Sequence, residues 1–269
     1  MVIRNAHHKA SVMGIINLSK KSYFNATPDF DQALRTAEMM LVEGADILDV
    51  GAIATNPAID LEKDIPSEQQ ELDIVTPFVE RLANITDKII SVDTYRPTVM
   101  QESVKVGAGM INDQHALTEK GALETAIACD VPVCLMHFLR NKDKRQRTKE
   151  ELLAIVLRDL QEDVARCLAG GVKREHIILD PGFGGGNFGK TATENFYILE
   201  HLDEVVALGF PVLVGLSRKS MFGGKAEDRL SATLKATQKA HQLGASIFRV
   251  HDVAPCRNAI ENVPIGLFF

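Results

Sequence analysis

Only four of the 269 residues are cysteine: Cys129, Cys134, Cys167 and Cys256. No two form a C-x-x-C pair, which removes zinc-finger and thioredoxin-like readings. Cys134 and Cys167 fall in apolar runs and read as small core residues, so reduced thiols in a reducing compartment are expected. Long apolar runs are missing too. No stretch reaches about 18 consecutive apolar residues, so no membrane-spanning helix is expected. The opening ten residues, Met1 to Ala10, carry no apolar segment of the secretory kind, and a cytoplasmic protein follows as the expectation. Positive charge is in deficit, with a net charge of −6. That argues against nucleic acid as a partner, since phosphate backbones select Lys and Arg. It leaves room for one basic pocket on an acidic surface. The basic run from Lys142 to Lys149 reads as a solvated loop leading into a helix. No H-E-x-x-H or histidine pair suggests zinc, and no G-x-G-x-x-G follows the first apolar run. No linker or low-complexity segment breaks the chain, so a single domain over 1–269 is expected.

Short apolar runs alternate with longer amphipathic ones. The short runs are Ser11–Asn17, Ile47–Val50, Ile89–Asp93, Met110–Asp113, Val131–His137, Ile177–Pro181, Pro211–Ser217 and Ile247–Asp252. Each has strand length and the apolar content of a strand covered on both faces. Asp31–Glu43 and Leu152–Leu168 show the three-to-four spacing of helices, clearest at Leu153, Val156, Leu160, Val164 and Leu168. Gly44, Gly107, Gly171, Gly209 and Gly244 stand where helices should end. Alternation of this kind gives a parallel sheet with crossover helices, which an open doubly wound sheet shares. Eight strands in 269 residues favour a (β/α)8 TIM barrel, whose typical length is roughly 250 residues.

The barrel reading locates a site, because such barrels work at the C-terminal ends of their strands. Those ends are polar here: Asn17, Asp93-Thr94, Asn112-Asp113, His137, Asp180-Pro181-Gly182-Phe183-Gly184, Ser217-Arg218-Lys219-Ser220 and Arg249-Val250-His251-Asp252. One Asp or Asn after a strand usually caps the next helix. So many polar ends on one rim point instead to a binding mouth. Asp93 and Asp180, from nearly opposite strands, suit a cationic or amidine-like edge. Arg218, Lys219, Arg249 and His251 suit an anionic group. The stretch from Gly182 to Lys190 lacks Walker spacing and reads as a mobile loop with close backbone approach. His137 reads as a satisfied rim or core histidine, and His115 as an isolated loop residue.

Met13-Gly14-Ile15-Ile16-Asn17, Gly44 to Gly51, Ile90 to Thr94, Ile111-Asn112-Asp113, Asp180 to Gly184, Ser217 to Ser220 and Arg249 to Asp252 resemble, in order, the motifs of the dihydropteroate synthase family. That resemblance covers nearly the whole chain. It implies condensation of 6-hydroxymethyl-7,8-dihydropterin diphosphate with 4-aminobenzoate, release of diphosphate, a Mg2+ cofactor, sulfonamide recognition and a homodimer. Carried over residue by residue, it puts Asp93, Asn112, Asp180, Lys219 and Arg249 on the pterin. It puts Thr55, Asn56, Pro57, Phe183 and Ser220 on the aminobenzoate. Asn17, Thr55, Arg249 and His251 fall on the diphosphate, with Asn17 on the metal. Lys219, Arg249 and Asp93 are the implied catalytic set.

Two loops depart from the family's pattern. Where it usually reads Asn-Val-Thr-Pro-Asp-Ser-Phe, this chain has Asn17-Leu18-Ser19-Lys20-Lys21-Ser22-Tyr23. Where it reads Gly-Gly-Glu-Ser-Thr-Arg-Pro, this chain has Gly51-Ala52-Ile53-Ala54-Thr55-Asn56-Pro57. Gly185-Gly186-Asn187 are extra residues before Phe188-Gly189-Lys190. The readings open at this point are a divergent synthase, a pterin-binding paralogue with lost or altered transfer, and a methyltetrahydrofolate-type methyltransferase.

Overall fold

Each short apolar run becomes a strand, and a helix follows each. A computed structural model describes residues 10–19, 30–53, 65–139, 147–185 and 188–262. The strands are β1 Ser11–Asn17, β2 Ile47–Gly51, β3 Ile89–Asp93, β4 Met110–Asp113, β5 Val133–Met136, β6 Ile177–Asp180, β7 Leu213–Val214 and β8 Ile247–Val250. The helices are α1 Phe30–Val42, α2 Glu68–Ala83, α3 Pro97–Lys105, α4 Ala122–Cys129, α5 Lys149–Gly170, α6 Ala192–Glu200, α7 Leu202–Val206, α8 Leu230–Gln242 and α9 Val253–Glu261. All strand pairs are parallel, in the order β6-β5-β4-β3-β2-β1-β8-β7. A parallel bridge from Leu179 to Val212 joins β6 to the start of β7. The sheet thereby becomes the expected (β/α)8 barrel. No described helix is long and apolar enough to cross a membrane.

The β6–β7 seam is thin for a covalent reason. Pro211 has no N–H and can only accept, from Leu179 N at 2.9 Å. So β7 is two residues long where Pro211–Ser217 was expected. Past it the chain turns away at Arg218, which has φ 55°. The five glycines expected to end helices take φ of 95°, 123°, 111°, 80° and 99°, the left-handed region that glycine tolerates. Gly107 is also sterically pinned, since a Cβ there would stand 2.6 Å from Ala83 Cβ. Thr148 and Glu151 form a capping box that starts α5. The tail of the basic run thus enters a helix as expected, while residues 142–146 lie outside the described residues.

Two apolar shells hold the barrel. The larger packs the outer strand faces against the helices and includes Val12, Val50, Phe78, Val92, Leu160 and Phe248. The smaller fills the barrel interior with Met13, Ile47, Ile89, Met110, Cys134, Ile178, Leu213 and Ile247, one side chain from each strand. Side chains alternate faces along a strand. Two residues past this inner plate stand Asp49, Asn112, Asp180 and Arg249. Four residues past it stand Asn17, Asp93, Ser217 and His251. Strand periodicity therefore puts these polar groups above a dry apolar floor, at the C-terminal mouth.

Candidate active site

Arg249 organises the floor of the mouth. Its Nε donates to Asp49 Oδ2 and its Nη2 to Asp93 Oδ2, both at 2.6 Å. Asn112 Nδ2 donates to the same Asp49 oxygen at 3.2 Å, and Gln114 Nε2 to Asp93 Oδ1 at 2.9 Å. Asp49 is fully buried, and Asp93, Asn112 and Asp180 are each at most 6% exposed. Burial lifts the Asp93 carboxyl to about 7; Arg249 pulls it down and Asp49 adds to the rise. Burial works against the Arg249 charge, but Asp49 and Asp93 outweigh it and hold its pKa above the ordinary value. Asp180 Oδ1 accepts the Gly182 N–H at 2.7 Å. Burial raises its pKa against that bond and the charges of Lys219, Lys190 and Arg249.

Above the floor opens a cavity of about 420 Å³, lined among others by Asn17, Ile53, Phe188, Lys219, Ser220 and His251. That volume suits a small ligand. The Lys219 ammonium stands 4.7 Å from the Phe188 ring centroid, a cation–π distance. Burial first, and then Arg249, pull the Lys219 pKa down to about 8. Ser217 Oγ lies 2.9 Å from His251 Nδ1 and accepts the His251 backbone N–H at 3.2 Å. Ser217 Oγ keeps a donor O–H and a second lone pair for Nδ1, so either imidazole tautomer satisfies this pair.

His251 is pushed down to about 4, by desolvation first and then by Arg249. A depressed histidine favours the neutral form on folding. The stability it gives is complete above its ordinary 6.5 and is lost as pH falls through about 4. His251→Gln is therefore expected to flatten the fall in thermal stability across that window. Melts at stepped pH check this, and an acid limb of unchanged shape would refute it.

Asn17, Asp93, Lys219, Ser220, Arg249 and His251 line one cavity, while Asn112 and Asp180 stand buried at the ends of β4 and β6 without lining it. Thr55, Asn56 and Pro57, like Lys20 and Lys21, lie outside the described residues. Phe183 departs from its expected place: it is 2% exposed and packs in the outer core, while Phe188 lines the cavity. Arg218 lines the cavity too, with its Nε and Nη2 holding Asp252 at 2.8 and 2.6 Å. His115 is not isolated: Nδ1 lies 2.8 Å from Glu119 Oε1, and the ring stacks on Tyr95 at 4.2 Å. His137 is buried with Nε2 3.3 Å from Asp159, as a satisfied histidine should be.

Sequence reasoning missed Asp49, Gln114 and Lys190. Asp49 was legible. A carboxylate inside Ile47-Leu48-Asp49-Val50, in step with the inward-facing Ile47, needs a buried partner. Gln114 carries no such signal, because its position depends on the turn after β4.

Residues 13–251 match the family model described as pterin binding enzyme. The chain is 41% identical to a dihydropteroate synthase of Haemophilus influenzae over 93% of its own length and 91% of the relative's. A dihydropteroate synthase from Coxiella burnetii, solved in complex with pteroic acid, superposes with a TM-score of 0.87 at 47% identity, covering 94% of this chain and 91% of the other. One from Xanthomonas albilineans, solved with 4-aminobenzoic acid, gives 0.85 at 37% identity, covering 95% and 94%. Matched over nearly its whole length in sequence and in fold, the chain belongs to the dihydropteroate synthase family of pterin-binding enzymes.

Proposed function

We propose that this chain condenses 6-hydroxymethyl-7,8-dihydropterin diphosphate with 4-aminobenzoate, giving 7,8-dihydropteroate and diphosphate. The observation that carries the reading is the set of buried acceptors, Asp93, Asn112 and Asp180, beside a cavity that Asp93, Lys219, Arg249 and His251 line. Asp93 and Asp180 would accept the N–H donors of the pterin edge, Asn112 would pair beside them, and Lys219 would donate to the ring's acceptor side. Arg249 would exchange its bond to Asp93 for the pterin and the diphosphate while keeping Asp49. Thr55, Asn56, Pro57, Phe188 and Ser220 would frame the aminobenzoate.

The amine lone pair then forms a C–N bond to the pterin's exocyclic methylene. The C–O bond to diphosphate breaks, its electron pair leaves on the diphosphate, and the surplus amine proton passes to water. Arg249 and the His251 ring would stabilise the charge that develops on the leaving group. Such positioned donors contribute more than in water, because the site is dry on its floor side.

Mg2+ fits as part of this proposal. Asn17 lines the cavity, and its Oδ1, which accepts Ser19 N–H at 2.9 Å, has a second lone pair. No cluster of three or more His, Cys, Asp or Glu stands among the described residues. That suits an ion held mainly by substrate phosphates and water. Bound there, it would offset diphosphate charge. A homodimer in the cytoplasm completes the proposal, and sedimentation of the purified chain tests the oligomer.

The decisive assay supplies pterin diphosphate, Mg2+ and 4-aminobenzoate and measures dihydropteroate and diphosphate together. Binding of pterin with no product would instead identify a paralogue that has lost transfer. A second experiment addresses the altered loops. Asn56 lacks the charged fork that the family's Arg offers. Asn56→Arg is expected to raise kcat/KM for 4-aminobenzoate and to strengthen sulfonamide inhibition by about tenfold, the scale of one charged hydrogen bond. Pterin affinity should stay unchanged. A wild type already tight for aminobenzoate, with no gain in the variant, would sink the idea.

A further inference from the structure

Lys190 has no part in the steps above, yet it is 3% exposed, a burial that lysine tolerates only when its ammonium is paired. Its Nζ donates to Gly182 O at 2.5 Å, Pro181 O at 3.0 Å and His137 O at 3.4 Å. An ammonium has three N–H donors, and three carbonyls converge on it. They come from two strand ends, because His137 follows β5 and Pro181 and Gly182 follow β6. The crossing is close. Gly182 has φ 70°, and a Cβ there would stand 1.9 Å from His137 O and 3.1 Å from Lys190 Nζ. Carbonyl dipoles aimed at one buried point repel unless a cation joins them. The Gly182 N–H meanwhile goes to Asp180 Oδ1 at 2.7 Å. A single residue thus has its carbonyl on Lys190 and its amide on the Asp180 carboxylate. Burial draws the Lys190 pKa down to about 7, and Asp180 opposes that fall.

We propose that Lys190 is a positioning residue for pterin recognition, acting through Gly182 to set the direction of the Asp180 carboxylate. The inference rests on the function proposed above. Lys190→Met keeps the length and removes the charge, whereas Lys190→Arg keeps the charge. Calorimetry on the wild type comes first, since a wild type that binds no pterin overturns the proposed function and this inference together. With wild-type binding in hand, Lys190→Met is expected to raise the pterin Kd and the KM for pterin diphosphate about tenfold, leaving the aminobenzoate KM within about twofold, and Lys190→Arg to recover part of the loss. Unchanged pterin binding, or both KM values rising in step with a fall in Tm, would overturn the proposal. Should the methionine variant fail to fold, 15N-lysine labelling of the wild type decides. The Lys190 Nζ signal is expected to move on adding free pterin and not on adding 4-aminobenzoate, and a signal blind to pterin would refute the role.

Discussion

Replacing Arg249 by alanine should cost about 3–5 kcal/mol of folding stability near neutral pH, the scale for removing one partner of a buried ion pair. Asp49 and Asp93 both bond this guanidinium. The amides of Asn112 and Gln114 that also touch them bring no charge to replace it. The loss should depend on pH, and its sign follows from Asp93. That carboxyl lies at about 7 in the fold, above its ordinary 3.8, with Arg249 the strongest influence holding it down. A raised carboxyl gives stability that is complete below its ordinary pKa and lost as pH rises through the folded value. Without Arg249 it rises further, so below about 7 both folded forms keep the proton and the gap is level, and it widens as pH rises above about 7. Urea melts at acid and alkaline pH measure this, and a gap independent of pH would show that the pair is not what Arg249 supports. Turnover should fall by about 10²-fold or more, as when a donor to developing charge is removed. Binding of the pterin diphosphate should suffer more than that of the free pterin. Equal losses for the two ligands would mean that Arg249 serves mainly the ring.

Asp180→Asn should weaken pterin binding by about 1.5–3 kcal/mol, the scale of a charge-assisted hydrogen bond, or roughly tenfold to 150-fold in Kd. Asparagine has nearly the same shape and can still accept the Gly182 N–H through its Oδ1. What changes is the other atom, where an acceptor becomes an NH2 donor facing the donor edge of the ligand. The substitution also removes a negative charge that Lys219, Lys190 and Arg249 all feel. Calorimetric titration with free pterin reads the effect directly. An unchanged isotherm would remove Asp180 from the pterin site.

The architecture was legible because strand–helix alternation and terminal glycines are local signals. The eight runs and the five glycine turns carry through to the barrel. Strand lengths were less so: β7 starts late beside Pro211, which cannot donate across the seam, and the chain turns at Arg218 beyond its end, and neither effect shows in hydropathy. Charged and amide residues at strand ends marked the mouth, yet their pairing did not. That Arg218 would hold Asp252 while Arg249 reached Asp49 depends on which way each side chain leaves a turn. Phe183 and Phe188 differ in the same manner. Both are aromatic residues in one glycine-rich stretch, and only the folded loop separates the core ring from the cavity ring.

The plate of eight side chains inside the barrel, with the acceptors rooted two and four residues above it, divides the protein into parts with unequal freedom to vary. A change in the plate or its acceptors disturbs every strand at once, because each strand contributes one member. Lys20, Lys21 and Asn56 are not among the plate's eight members, so substituting them changes no side chain of the plate. On the function proposed above, selection on the amine side can therefore proceed through substitutions at those positions in small steps. Selection against the pterin side must act on side chains rooted in the barrel strands, where a change in shape meets the plate directly.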